Sequence, residues 1–138
     1  MSEAKYLLQK IAFLDAEIIS LIREHESMKS TLLKATDYSN EPVATTKRNT
    51  SEDKLVKLAD KSSDIDLKVD ELIEFKIKMG DYINQLEDER HIVILRERYI
   101  NGLSFRDISK NVGYTERHIQ RIHGEALIAF QNILNNVI

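Results

Sequence analysis

The chain has no cysteine and no tryptophan, and its 138 residues include only one proline and four glycines. Without thiols there is no disulfide framework and no thiolate metal site. With so few helix breakers, the composition favours long helices. No apolar run approaches the roughly 18 to 20 residues that span a bilayer, and no basic segment followed by an apolar stretch opens the N-terminus, so the chain reads as soluble, cytoplasmic and not exported, with no membrane partner. A nucleotide-binding glycine loop and a Gly-x-Ser-x-Gly elbow are both missing. The carboxylates between Asp60 and Glu89 have the spacing of a wet helix face. His25, His91, His118 and His123 do not fall at metal-ligand spacing. The expectation is no enzyme, no catalytic residue, no metal and no cofactor.

A hydrophobic content of 42% is enough to bury a core in a chain of this size. The net charge of −3 conceals an asymmetry. Residues 1–89 carry 13 Lys or Arg against 19 Asp or Glu, and residues 90–138 carry 7 against 4. The basic surplus therefore sits in the last third, on Arg90, Arg96, Arg98, Arg106, Lys110, Arg117 and Arg121. One copy offers modest phosphate neutralisation, so tight binding to a polyanion needs more copies or a partner.

The first two thirds are able to supply those copies. Leu7, Ile11, Leu14, Ile18, Leu21, His25, Met28 and Leu32 alternate spacings of four and three, the signature of a coiled-coil seam broken only by His25. Leu55, Leu58, Ser62, Ile65, Val69, Leu72, Lys76, Met79, Ile83 and Leu86 keep the same rhythm, with Ser62 and Lys76 as polar exceptions. Two helices of about 30 and 35 residues follow, roughly 45 to 50 Å each. Between them the polar stretch 37–50 holds Pro42 and reads as a loop. Ser51-Glu52-Asp53 then starts the second helix with acid where the helix dipole favours it. An antiparallel hairpin is the natural connection. Leu8, Ile19, Ile22, Leu33, Val56, Leu67, Ile73 and Ile77 widen the apolar stripe beyond a strict seam. The hairpin is thus expected to self-associate through residues 3–86 into a dimer or tetramer, the alternative being a monomeric bundle folded over the C-terminal helices. His25 reads as a specificity or register device in the seam, or as a tolerated polar position there, and not as a ligand, with protonation able to tune assembly.

The last forty residues carry the most specific pattern. Ser104 with Asp107 fits a capping box, which starts a helix with Phe105, Ile108 and Val112 on one stripe and Gly113 at its end. After the turn at Gly113-Tyr114, Thr115 caps a second helix. Its Ile119, Ile122, Ala126, Leu127 and Phe130 fall mainly on one side, leaving Glu116, Arg117, Gln120 and Arg121 outside. Arg and Gln are the residue types that read guanine and adenine edges with two bonds each, and a helix so placed suits the DNA major groove. The alternative is an ordinary amphipathic helix with a solvated face. The fold expected overall is all-α, with a coiled-coil helical hairpin over 1–87 and a helix-turn-helix domain over 88–138. A short break near Glu87 is favoured over a continuous helix running into Ile92-Val93-Ile94-Leu95.

On these residues the run Leu95 to Leu127 resembles region 4 of the sigma-70 family. Leu95-Arg96-Glu97-Arg98-Tyr99-Ile100-Asn101-Gly102 resembles the helix and glycine turn before the motif, and Ser104-Phe105-Arg106-Asp107-Ile108-Ser109 resembles its first capped helix. Glu116 to Ile122, followed by Ala126-Leu127, resembles the recognition helix. Glu116 stands where bacterial housekeeping factors usually have a basic residue, and Gln120-Arg121 reverses their usual order, so a different base sequence should be read. Nothing in the chain resembles region 2, so it is not a complete sigma factor.

Across nearly its whole length the layout is similar to the ArpU/RinA-like phage late-transcription regulators. That resemblance implies a transcriptional activator of packaging and structural genes in a bacterial host, with double-stranded DNA as partner and host RNA polymerase as a second candidate partner. In the expected DNA interface Arg117, Gln120 and Arg121 read bases, Arg106, Lys110 and Thr115 sit on phosphates, and Glu116 and His118 lie alongside. The rival readings are a small terminase subunit, which recognises packaging DNA as a ring, and a sigma-like module that binds polymerase without reading DNA.

Overall fold

A computed structural model describes the backbone of residues 3–38 and 46–137, and the side chains of 3–34 and 52–137. The fold is all-α. Helices α1 (Glu3–Tyr38) and α2 (Thr46–Ile83) are followed by α3 (Glu89–Leu95), a π-helical turn (Arg96–Ile100), α4 (Phe105–Val112) and α5 (Glu116–Val137). The first two run to 36 and 38 residues, longer than the 30 and 35 expected. Helical backbone begins at Thr46, five residues before the start expected at Ser51. From residue 43 to residue 79 the chain holds neither glycine nor proline, so nothing local ends the helix earlier. The loop expected at 37–50 lies outside the described residues over 39–45.

The chain divides into two compact units. The outer one, residues 15–71, is the paired middle of α1 and α2. Glu17 meets Lys68 and Glu24 meets Lys61, each at 3.4 Å. These pairs step seven residues forward on α1 and seven back on α2, which fixes an antiparallel register. Each is half exposed and contributes about 0–1 kcal/mol, so their value is alignment more than stability. Ile18 is buried on the seam, while Leu21, Met28, Leu58, Ser62, Ile65 and Val69 are half-buried and Leu55 is exposed. His25 is satisfied within the seam: its Nε2 donates to the Leu58 carbonyl at 3.1 Å.

The other unit joins residues up to Leu14 and residues from Leu72 onward. Its core takes Ala4, Leu8, Ile11 and Leu14 from α1, Leu72, Met79 and Ile83 from α2, and Ile94, Leu95, Ile108, Ile119, Ile122, Ala126, Phe130 and Leu134 from the C-terminal helices. The Ala4 amide, one of the orphan donors at a helix start, donates to Gln131 Oε1 at 2.9 Å. Tyr82 meets the Phe130 ring edge-on at 6.5 Å between centroids. Lys10 lies 5.1 Å over the Phe75 ring. The ends of the hairpin and the C-terminal helices are therefore one packed body.

The break expected near Glu87 is present. Gln85 and Leu86 close tight turns onto the Tyr82 and Ile83 carbonyls at 3.1 Å, and Asp88 caps α3 by accepting from the Arg90 amide at 2.9 Å. The same carboxylate takes the Arg90 guanidinium, which with that amide holds its pKa down at about 2. Further on, the Asn101 amide reaches the Arg96 carbonyl at 3.0 Å, the five-residue step of a π turn. Gly102, at φ 70°, ends it.

Candidate nucleic-acid interface

The turn between α4 and α5 is tied at both ends. Ser104 Oγ accepts from the Asp107 amide at 3.2 Å to start α4. Gly113 takes the left-handed conformation at φ 79° and donates its amide to the Ser109 carbonyl at 2.9 Å. The Ser109 hydroxyl in turn donates to the Tyr114 carbonyl. Thr115 Oγ1 accepts from the His118 amide at 3.2 Å and opens α5. Beneath the turn, Ile94, Ile108, Ile119 and Ile122 form a buried cluster with Leu103, Phe105 and Val112 packed against it. This packing of α3, Leu103 and α4 against α5 holds the leading edge of α5 in place beside α4.

On that edge Glu116, Arg117, Gln120 and Arg121 are exposed, as are Arg106 and Lys110 on α4 and Thr115 in the turn. Arg106, Lys110, Arg117 and Gln120 make no side-chain hydrogen bond or ion pair with any described residue. Arg121 Nη2 donates to His118 Nδ1 at 2.8 Å. The acceptor role at Nδ1 leaves the proton of a neutral ring on Nε2. The His118 ring, half-buried, is met edge-on by Tyr114 at 4.8 Å. His118 is thus a brace that aims the Arg121 guanidinium, and Tyr114 holds the brace. Tyr114 was not among the residues expected at the interface; its place in the turn, four before His118, was the available signal.

The remaining cations of the basic surplus have other partners. Arg90 is bound to Asp88. Arg96 donates to Asn84 Oδ1 and lies 3.9 Å from the position a Cβ would take on Gly80, so its charge sits at the C-terminal, negative end of α2. Arg98 lies 4.4 Å over the Phe105 ring and donates to the Leu103 carbonyl at 3.2 Å. Seven cations therefore resolve into three bonded elsewhere, of which Arg90 is exposed and Arg96 and Arg98 are half-buried, and four, Arg106, Lys110, Arg117 and Arg121, exposed on α4 and α5.

Behind the interface, His123 shares a 2.7 Å hydrogen bond with the Tyr99 hydroxyl, stacks on that ring at 5.6 Å, and meets Phe105 edge-on at 5.0 Å. Burial, with the charges of Arg98 and Lys5 adding to it, pushes the His123 pKa down to about 4. Its spacing, four after Ile119 and three before Ala126, places it on the flank of the buried stripe. The unfolded chain binds this proton more readily, so the stability it permits is full above about pH 6.5 and is lost as the pH falls towards about 4. Discounted for remaining solvent contact, the loss is on the order of 1–2 kcal/mol. Melting temperatures at pH 7 and pH 5 should differ less for H123N than for the unaltered chain; equal differences would remove His123 from this role.

Among the described residues no group of three or more His, Asp or Glu is placed to hold a metal ion, and no helix is long and apolar enough to cross a membrane. A family model described as a protein of unknown function (DUF1492) matches residues 32–131, from the last turns of α1 through most of α5. No curated protein and no solved structure matches the chain.

Proposed function

The chain belongs to the DUF1492 family, and from that premise and the outward edge of α5 we propose that it is a sequence-specific double-stranded DNA-binding protein that activates transcription of phage or prophage late genes. The observation that carries this reading is the division of the cations. Arg90, Arg96 and Arg98 are bonded to Asp88, Asn84 and the Leu103 carbonyl, while Arg106, Lys110, Arg117 and the His118-aimed Arg121 are exposed beside an unpartnered Gln120. A helix edge retained only for solubility has no need of that separation.

In this mechanism α5 enters the major groove. Arg117 and Arg121 suit guanine, Gln120 suits adenine, and Glu116 suits the amino group of cytosine. Arg106 and Lys110, one turn apart on α4, neutralise phosphates. Thr115 has its oxygen committed to the His118 amide but keeps its hydroxyl proton for a phosphate oxygen. The hairpin, residues 3–86, supplies self-association, so that two recognition helices engage one DNA. The sigma region 4-like motif and the ArpU/RinA-like layout support the assignment to transcription, with host RNA polymerase as a second partner.

The test is titration of the purified chain with DNA from its own genomic neighbourhood against random competitor, with the mass of the complex recorded. The two phosphate-facing cations, Arg106 and Lys110, give a slope of log K on log salt of about −2 per bound copy, whereas all seven cations on phosphates would give about −6. A specific complex of two or four chains upstream of a late operon supports the proposal. A large ring on packaging DNA replaces it with the terminase reading, and polymerase binding without specific DNA binding replaces it with an interaction module.

A further inference from the structure

The two flanks of the outer hairpin, residues 15–71, differ. One carries the Glu17–Lys68 and Glu24–Lys61 ion pairs. On the opposite flank of α1, Ile19 and Ile22 are 43% and 44% exposed. Asp15 and Lys29 lie on that same flank, seven residues before and seven after Ile22, so all three share one helical face. Both charges are exposed, and neither makes an ion pair with any described residue. Opposite charges equally spaced about a bare isoleucine form a surface complementary to itself.

We propose that a second copy of this chain docks here, the two α1 helices packing antiparallel about a twofold axis beside Ile22. Each Asp15 then meets the partner's Lys29, and Ile22 meets its own counterpart, an isologous contact. Parallel packing would set Asp15 against Asp15 and Lys29 against Lys29, so the charges select the antiparallel form. Ile19 extends the apolar contact, and Glu26 falls beside the partner's Ile19 at the rim, where its carboxylate keeps water. The contact specifies the face and symmetry of the self-association proposed above, and it involves no DNA.

The test is sedimentation of the full chain without DNA across a concentration series. D15K and K29D should each weaken the dimer about tenfold or more, and D15K/K29D should restore it, because the exchange rebuilds both pairs in reversed sense. All these positions are exposed, and unchanged far-ultraviolet circular dichroism verifies the fold. The chain has no cysteine of its own, so I22C should oxidise to a linked dimer while E24C, on the ion-paired flank, does not. A dimer indifferent to both reversals, or a double variant as weak as the singles, overturns this face while leaving self-association standing. A chain monomeric at every concentration overturns both.

Discussion

Replacing Phe130 by alanine should cost the protein about 3–5 kcal/mol, a large part of the roughly 5–15 kcal/mol that holds a domain together. Phe130 is fully buried, lies on the inner side of α5, and meets Tyr82 of α2 edge-on. Its loss removes the largest side chain among the fully buried ones, and with it a ring contact between two elements far apart in sequence. Rigid helical backbone on both sides leaves little means of closing the void, so the cavity cost adds to the lost transfer free energy. Ile128, two residues earlier and 68% exposed, is the control: I128A should stay within about 0.5 kcal/mol of the parent. Urea unfolding followed by helicity measures both. If F130A lost less than about 1 kcal/mol, α5 would not be joined to α2 as described.

The second large effect concerns DNA. R117A should lower affinity for the specific site by about 1–3 kcal/mol, roughly 5- to 150-fold, with little change on scrambled DNA of the same length and salt. R121A should behave alike, and H118A should reproduce part of its effect, because the imidazole that aims the guanidinium is gone. R106A and K110A should instead weaken specific and random DNA in equal measure and flatten the salt dependence by about one each. R98A separates charge from position. It removes a cation of the same formal surplus, yet that cation is spent on Phe105 and the Leu103 carbonyl. Its effect should therefore appear in melting temperature, not in site discrimination. Anisotropy titrations on the two DNAs decide the matter, and equal losses on both for R117A and R121A would sink the base-reading role.

Much of this arrangement was legible in the residues themselves. The caps at Ser104 and Thr115, the left-handed Gly113, the break before Asp88 and the inward stripe of α5 all depend on local chemistry, and local chemistry is what a sequence displays. Periodicity reports that a face is covered but not by what. Leu8 and Ile22 occupy equivalent places two heptads apart on α1, yet Leu8 is fully buried in the unit that includes the C-terminal helices and Ile22 is exposed. Nothing in their shared pattern separates them. The division of the seven cations was hidden for a related reason: a charge count does not know that Arg96 finds Asn84 twelve residues back. The π turn left no periodic trace, since one wide turn is too short to shift a pattern.

That wide turn at Arg96–Ile100 gives the chain a reserve of length. A π turn holds one residue more than the α turn it replaces, and the residues on either side keep their facing. A chain shorter by one residue here can close to α geometry with Ile94 and Leu95 still inward, whereas the same deletion within α5 would turn every later side chain by about 100° and carry Phe130 and Leu134 off the core. Insertions and deletions among related chains should therefore gather at this point and be purged from α5, so that the place where the chain is least regular is the place where its length is free to change.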